Sequence, residues 1–157
     1  MTQRRCRRLM APLRRDEGSA IIEFTFVAVL IMVPLVYLVV AVAAIQRTSA
    51  AAGDAARAAG RAIGSADTVE EGLARAQAAM RIVLGDGRLP ADAGQLRIVP
   101  PSSACTDAQI APSLGPGDEY AVCVIVTAAI PGVPSVLRGG RQTAVGRYLV
   151  HVDDYRR

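Results

Sequence analysis

Hydrophobic residues run from Phe24 to Ile45 without a charge, then give way to apolar positions recurring every three or four residues, and finally to short runs of β-branched residues. The first tract is 22 residues long, roughly 33 Å as a helix at about 1.5 Å per residue, which is enough to cross a bilayer's hydrocarbon core. Pro34 lies mid-span, where it frees the carbonyl of Leu30 and predicts a kink. Alanine-rich sequence carries the helix onward to about Ile63, although Gly53 and Gly60 each weaken it by about 1 kcal/mol. Ala52, Ala56, Ala59 and Ile63 recur as a small-residue stripe. Such a stripe suits close packing either on the chain's own domain or along a seam with another subunit.

Gly64-Ser65-Ala66-Asp67 interrupts the helical pattern, and Thr68-Val69-Glu70-Glu71 has the form of a capping box that opens a second, amphipathic helix. Val69, Leu73, Ala76, Met80, Val83 and Leu84 mark its apolar face, with Gly85 as the expected stop. Beyond Gly85, turn-forming residues punctuate three β-rich runs: Gln95 to Val99, Tyr120 to Ile130, and Thr143 to Val152. The middle run is apolar on both faces and suits the central strand of a small sheet covered by helix. In the last run Tyr148, Val150 and Val152 alternate with Arg147 and His151, an alternation that Leu149 breaks. Pro131, Pro134 and Gly139-Gly140 mark the connection before it. The predicted class is α+β: a long N-terminal transmembrane helix, a second helix, and an antiparallel sheet of about three strands. The segments read as a basic leader (1–18), a transmembrane helix (19–45), its extension (46–64) and an extracytoplasmic α+β domain (65–157).

Composition narrows the picture further. The chain is 52% hydrophobic but only 4% aromatic, with no Trp, so a large aromatic-rich enzyme core is not expected. The net charge of +4 raises the question of nucleic acid, and the location of the charge answers it. Residues 1 to 18 hold six arginines against Asp16 and Glu17, whereas from Ser19 onward twelve arginines balance twelve acids. All the excess therefore precedes the hydrophobic tract, where it meets the anionic cytoplasmic leaflet and resists translocation. This is a topology signal, with the N-terminus cytoplasmic and the rest outside, and it predicts no nucleic-acid partner. Ala41-Val42-Ala43 resembles a signal-peptide cleavage site, but the apolar run before it exceeds the usual length of about 7 to 15 residues.

Glu23 is the unusual residue, an acid planted at the entrance of the hydrophobic tract. Burying a carboxylate in lipid costs a few kcal/mol, less near the interface than at the centre. A shallow, hydrated position is one explanation. Another is a cation that appears only after processing. A cut after Gly18 would make Ser19 the first residue, and its α-amine, with an ordinary pKa of about 7.7 to 8, would be largely protonated at neutral pH. That amine lies four positions from Glu23 in the same chain, and a neighbouring chain could supply another.

Gly18 followed by Ser19-Ala20-Ile21-Ile22-Glu23-Phe24 resembles the processing site of type IV prepilins. The Glu-Phe pair behind a short basic leader resembles the tight-adherence (Flp) branch, and within it the chain looks like the TadE/TadF pseudopilins. The resemblance runs from about Arg14 to Ile45 and continues through RTSAAAGDAARAAGRAIG. It implies that a prepilin peptidase cuts after Gly18 on the cytoplasmic side, that Ser19 becomes the N-terminus, and that Glu23, followed by Phe24, guides processing and subunit packing. Asp16 and Glu17 depart from the pattern, because many prepilins carry a basic residue before the glycine. Flp major pilins are shorter by about a hundred residues, which implies a minor component here. The implied partners are the prepilin peptidase, the major Flp pilin, a companion TadE/TadF pseudopilin, the pilus platform membrane protein and the lipid bilayer.

Cys6 lies in the leader and would be lost with it, leaving Cys105 and Cys123 as an even pair in the exported part. They are expected either to form a disulfide in an oxidising compartment or to remain two unrelated buried thiols. His151 is the only histidine and no C-x-x-C occurs, so neither a metal site nor a cofactor is expected. Neither the phosphate-binding G-x-x-x-x-G-K nor the G-x-S-x-G nucleophile motif is present, and the expectation is a non-enzyme. Asp86 and Asp92 flank a Gly- and Pro-containing turn without the calcium-loop spacing. The competing functional reading is an uncleaved, membrane-anchored extracytoplasmic binding or sensor domain.

Overall fold

The computed structural model of the chain describes residues 19–129 and 141–155. Its elements are α1 (Ser19–Gly64), α2 (Val69–Asp86), β1 (Gly94–Val99), β2 (Glu119–Ala129) and β3 (Arg141–His151), the α+β arrangement expected from the hydrophobic pattern. They fall into two compact units, Met1–Leu38 and Val39–Arg157, and α1 contributes to both.

In the first unit α1 continues through Pro34 with its large side chains bare: Ile21 is 70% exposed and Phe24 75%. The helix is long and apolar enough to cross a membrane. In the second unit it changes character, since Ala52, Ala55, Ala56, Ala59 and Ile63 are fully buried. The small-residue stripe thus packs on the chain's own domain, against Met80, Leu84, Val124 and Val126 in one cluster and Ile98, Tyr120, Val122 and Val150 in the next.

Alanine permits this because it lets the helix backbone approach the strands closely, and β3 reciprocates with Gly146. A β-carbon on Gly146 would collide with the Ala52 carbonyl, and one on Gly60 would strike the Tyr148 ring. Nearer the apolar tract, Gln142 Nε2 donates to Thr48 Oγ1 at 2.8 Å and to the Ala44 carbonyl at 3.3 Å. Residues 44 to 64 therefore meet 142 to 150 in ascending order, so α1 and β3 run side by side in the same direction.

α2 begins as expected, with Thr68 as N-cap accepting from the Glu71 N–H. Ala76, Met80 and Leu84 are buried, and so is Gly72, which lies where a β-carbon would press on Ala66 and the Ile63 backbone. The helix does not stop at Gly85 but continues to Asp86, with Gly87 as C-cap. Gly85 faces open space, so nothing forces the chain to turn there. The turn is made three residues later: Arg88 adopts φ 58°, Arg88 N–H bonds Gly85 O, and Leu89 N–H bonds Leu84 O. Those two bonds, with Leu89 packed on the Leu84 cluster, form a Schellman closure in which an arginine takes the left-handed position usually held by glycine.

The sheet is antiparallel in the order β1-β2-β3, which puts the most apolar run in the centre. Even-numbered residues of β2 face the helices. On the outer face Ala121 and Cys123 are buried with Val99 and Cys105, covered by the irregular segment between β1 and β2. β2 starts at Glu119, one residue before the expected boundary, and the expected end at Ile130 lies outside the described residues, as do Pro131, Pro134, Gly139 and Gly140. β3 begins at Arg141 and ends at His151. Val152 has left the strand but is buried, with its N–H on the Asp118 carbonyl. Leu149 does not break the alternation: it lies on the outer face with Val145, and both are half-exposed.

Candidate functional site

The residues singled out by sequence occupy two places, one in each unit. In the first, Ser19 is the first described residue and is helical, while Gly18 lies outside the described residues. Glu23 and Phe24 are exposed on the helix surface. Positions 19 and 23 stand one turn apart, so they share a face. No other described residue forms an ion pair with Glu23. Glu23 is the first acid in the described part of α1. Two residues on, Thr25 Oγ1 donates to the Ile21 carbonyl at 2.8 Å, so that hydroxyl is satisfied within the helix rather than by the acid. A shallow apolar depression lined by Ile21, Ile22, Thr25, Phe26 and Val29 occurs on the same stretch.

The second place is the outer face of the sheet, where Cys105 and Cys123 are joined in a disulfide with Cα atoms 5.7 Å apart. Sequence reasoning picked out this pair but missed its neighbours. Arg97 of β1 and Arg147 of β3 are the cross-strand partners of Cys123, so three tethers stand in one row. Arg97 Nη2 donates to the Asp107 carbonyl at 2.8 Å, and Arg147 Nη2 donates to the Pro101 carbonyl. Asp107 in turn accepts from the Ala104 N–H through its side chain at 2.8 Å, and Ile110 N–H bonds the Ile98 carbonyl at 2.9 Å. Segment 100–110 is thereby strapped over the central strand without a regular element of its own. The arginines were recognisable as charges in β-rich runs, but their role depends on register, which composition does not specify.

Among the described residues no cluster of three or more His, Cys, Asp or Glu side chains is arranged to hold a metal ion. His151 lies at the end of β3, with Nδ1 3.2 Å from Glu119 Oε1 and Nε2 3.8 Å from Asp154 Oδ2, an exposed surface arrangement. Asp86 ends α2, and Asp92 lies in the turn before β1. No protein-family model, curated protein or solved structure matches this chain.

Proposed function

We propose that the chain is a TadE-like minor pilin or pseudopilin, cut after Gly18 by a prepilin peptidase and taking part in assembly of a tight-adherence (Flp) pilus or a related secretion apparatus. In this reading it is a single-pass membrane protein that serves as substrate, not enzyme, with the leader in the cytoplasm and the α+β domain outside. It works with the major Flp pilin, a companion pseudopilin and the platform membrane protein.

The observation that carries the reading is Glu23: an acid on a bare apolar helix, unpaired with any other described residue and one helical turn from Ser19, the residue that a cut after Gly18 would make the N-terminus. Cleavage would place a cationic amine on Ser19, and assembly would bring further such amines from neighbouring chains. The Cys105–Cys123 bond supports an oxidising location for the domain, in keeping with the arginine-weighted leader on the cytoplasmic side.

The test is the N-terminal residue of the protein recovered from native membranes that contain the peptidase. Intact-mass and N-terminal peptide analysis should give a chain starting at Ser19. A chain that keeps residues 1–18 in those membranes would overturn the pseudopilin assignment and favour the uncleaved anchored domain.

A further inference from the structure

Among the described residues, the two outer strands of the sheet leave different edges open. On β1, the Ala93 carbonyl accepts from Thr127 of β2, whereas the Ile98 carbonyl points the other way and accepts from Ile110. Backbone groups alternate along a strand, so those of Gly94 and Leu96 also point away from β2. On β3, the Val152 N–H bonds Asp118 beside β2, which directs the backbone groups of Thr143, Val145, Arg147 and Leu149 outward. No other described strand pairs with that edge, and Val145 and Leu149 beside it are 52% and 50% exposed. A long, open, partly apolar edge is a template for another strand.

The geometry restricts what that strand can be. Outward-pointing residues of β3 carry their side chains on the outer face, whereas Gly94 and Leu96 carry theirs on the helix-covered face. Parallel pairing joins residues whose side chains face opposite sides of the sheet, and antiparallel pairing joins residues that face the same side. Because β1 and β3 are both antiparallel to β2, a second copy shifted sideways presents its β1 parallel to β3, with all helices on one face. Antiparallel pairing of β3 with another β3 would also satisfy the backbone, but α1 runs along β3, so the two α1 helices would then point in opposite directions. Chains rooted in one bilayer enter their domains from the same side.

We infer that the open edge of β3 takes the free half of β1 from a second copy of this chain, in parallel, as a repeating side-by-side contact. Thr143 N–H then donates to the Gly94 carbonyl, Leu96 N–H to the Thr143 carbonyl, and Val145 N–H to the Leu96 carbonyl. Ile110 already occupies Ile98 and ends the pairing there. The strand starts lie together in this register, which sets the exposed Asp92 beside the exposed Arg141, an opposite-charge pair. Beside the free edge of β1 lies an open cleft of about 530 Å³ lined by Gln77, Met80, Arg81, Asp92 and Leu96.

The inference requires only that copies share a membrane and does not depend on cleavage after Gly18. It is tested with the full chain in its native membrane, carrying the photoreactive residue benzoylphenylalanine in place of Val145, which is half-exposed and leaves the core untouched. Irradiation should give a dimer whose cross-link maps to residues 91–97 of the second copy. Arg141→Asp should reduce the yield at least fivefold, and Arg141→Asp combined with Asp92→Arg should restore it. A cross-link to β3 of the second copy, a cross-link to a different protein, no cross-link, or a yield indifferent to charge reversal would each overturn the inference. An intact leader with the expected cross-link present would overturn the proposed function alone.

Discussion

The two parts of α1 belong to one continuous helix and solve opposite problems. From Ile21 to Leu38 the large aliphatic side chains are bare, and their bulk suits contact with lipid, where apolar surface has no better place to go. From Ala52 to Ala59 the inward positions are alanines with no exposed surface. There the useful property is the absence of bulk, because the helix backbone must come close to the strands. Hydrophobicity alone does not separate these tasks. Side-chain size does, since a leucine in the second part would hold the helix off the sheet and an alanine in the first would only thin the apolar surface.

The contrast is broken most severely at the point of closest approach. Gly146→Val places side-chain atoms where the Ala52 carbonyl lies, and Ala56→Leu adds bulk to a fully buried site. Each is expected to destabilise the domain by about 3 kcal/mol, the upper part of the usual overpacking range, and urea titration of the detergent-solubilised protein would measure the loss. Cys123→Ser should cost about 3 kcal/mol by the chain-entropy argument. Measured oxidised and reduced, wild type should differ by a similar amount while the variant shows no redox dependence. Thr68→Ala removes the N-cap of α2 at about 1 kcal/mol, seen as a fall in the domain's midpoint with no change in membrane retention.

At the small end, Val33→Ala on the bare part should change domain stability by less than about 0.5 kcal/mol. An effect there as large as at Ala56 would erase the distinction between the two parts. Glu23→Gln sharpens it from the other side. It should leave domain stability unchanged while lowering the amount of processed or assembled protein, read by immunoblot of sheared surface material against membranes.

Much of this arrangement was legible before the structure. The three β-rich runs match the strands to within one or two residues at the described ends, and Thr68 caps α2 where the Thr-x-x-Glu spacing placed it, because both signals are local. Gly85 misled because glycine ends a helix only if the chain must turn there, and the turn was set by Leu89 reaching the Leu84 cluster. The allegiance of the alanine stripe was not legible, since Ala52 and Ala56 read alike against the same chain or another. Arg97 and Arg147 were unreadable as a pair for the same reason, because only register brings both beside Cys123. For the N-terminal end, the sequence pointed to Gly18, Ser19, Glu23 and Phe24, and the structure adds that the chain is helical from Ser19 onward among the described residues and that Glu23 and Phe24 are exposed.

The shared direction of α1 and β3 has a mechanical consequence. Tension between residues 44–64 of α1 and anything gripping the sheet acts along the line of contact, so Thr48 on Gln142, Ala52 on Gly146 and Gly60 on Tyr148 bear the load together as shear. A helix laid across the strands would instead be peeled off one contact at a time.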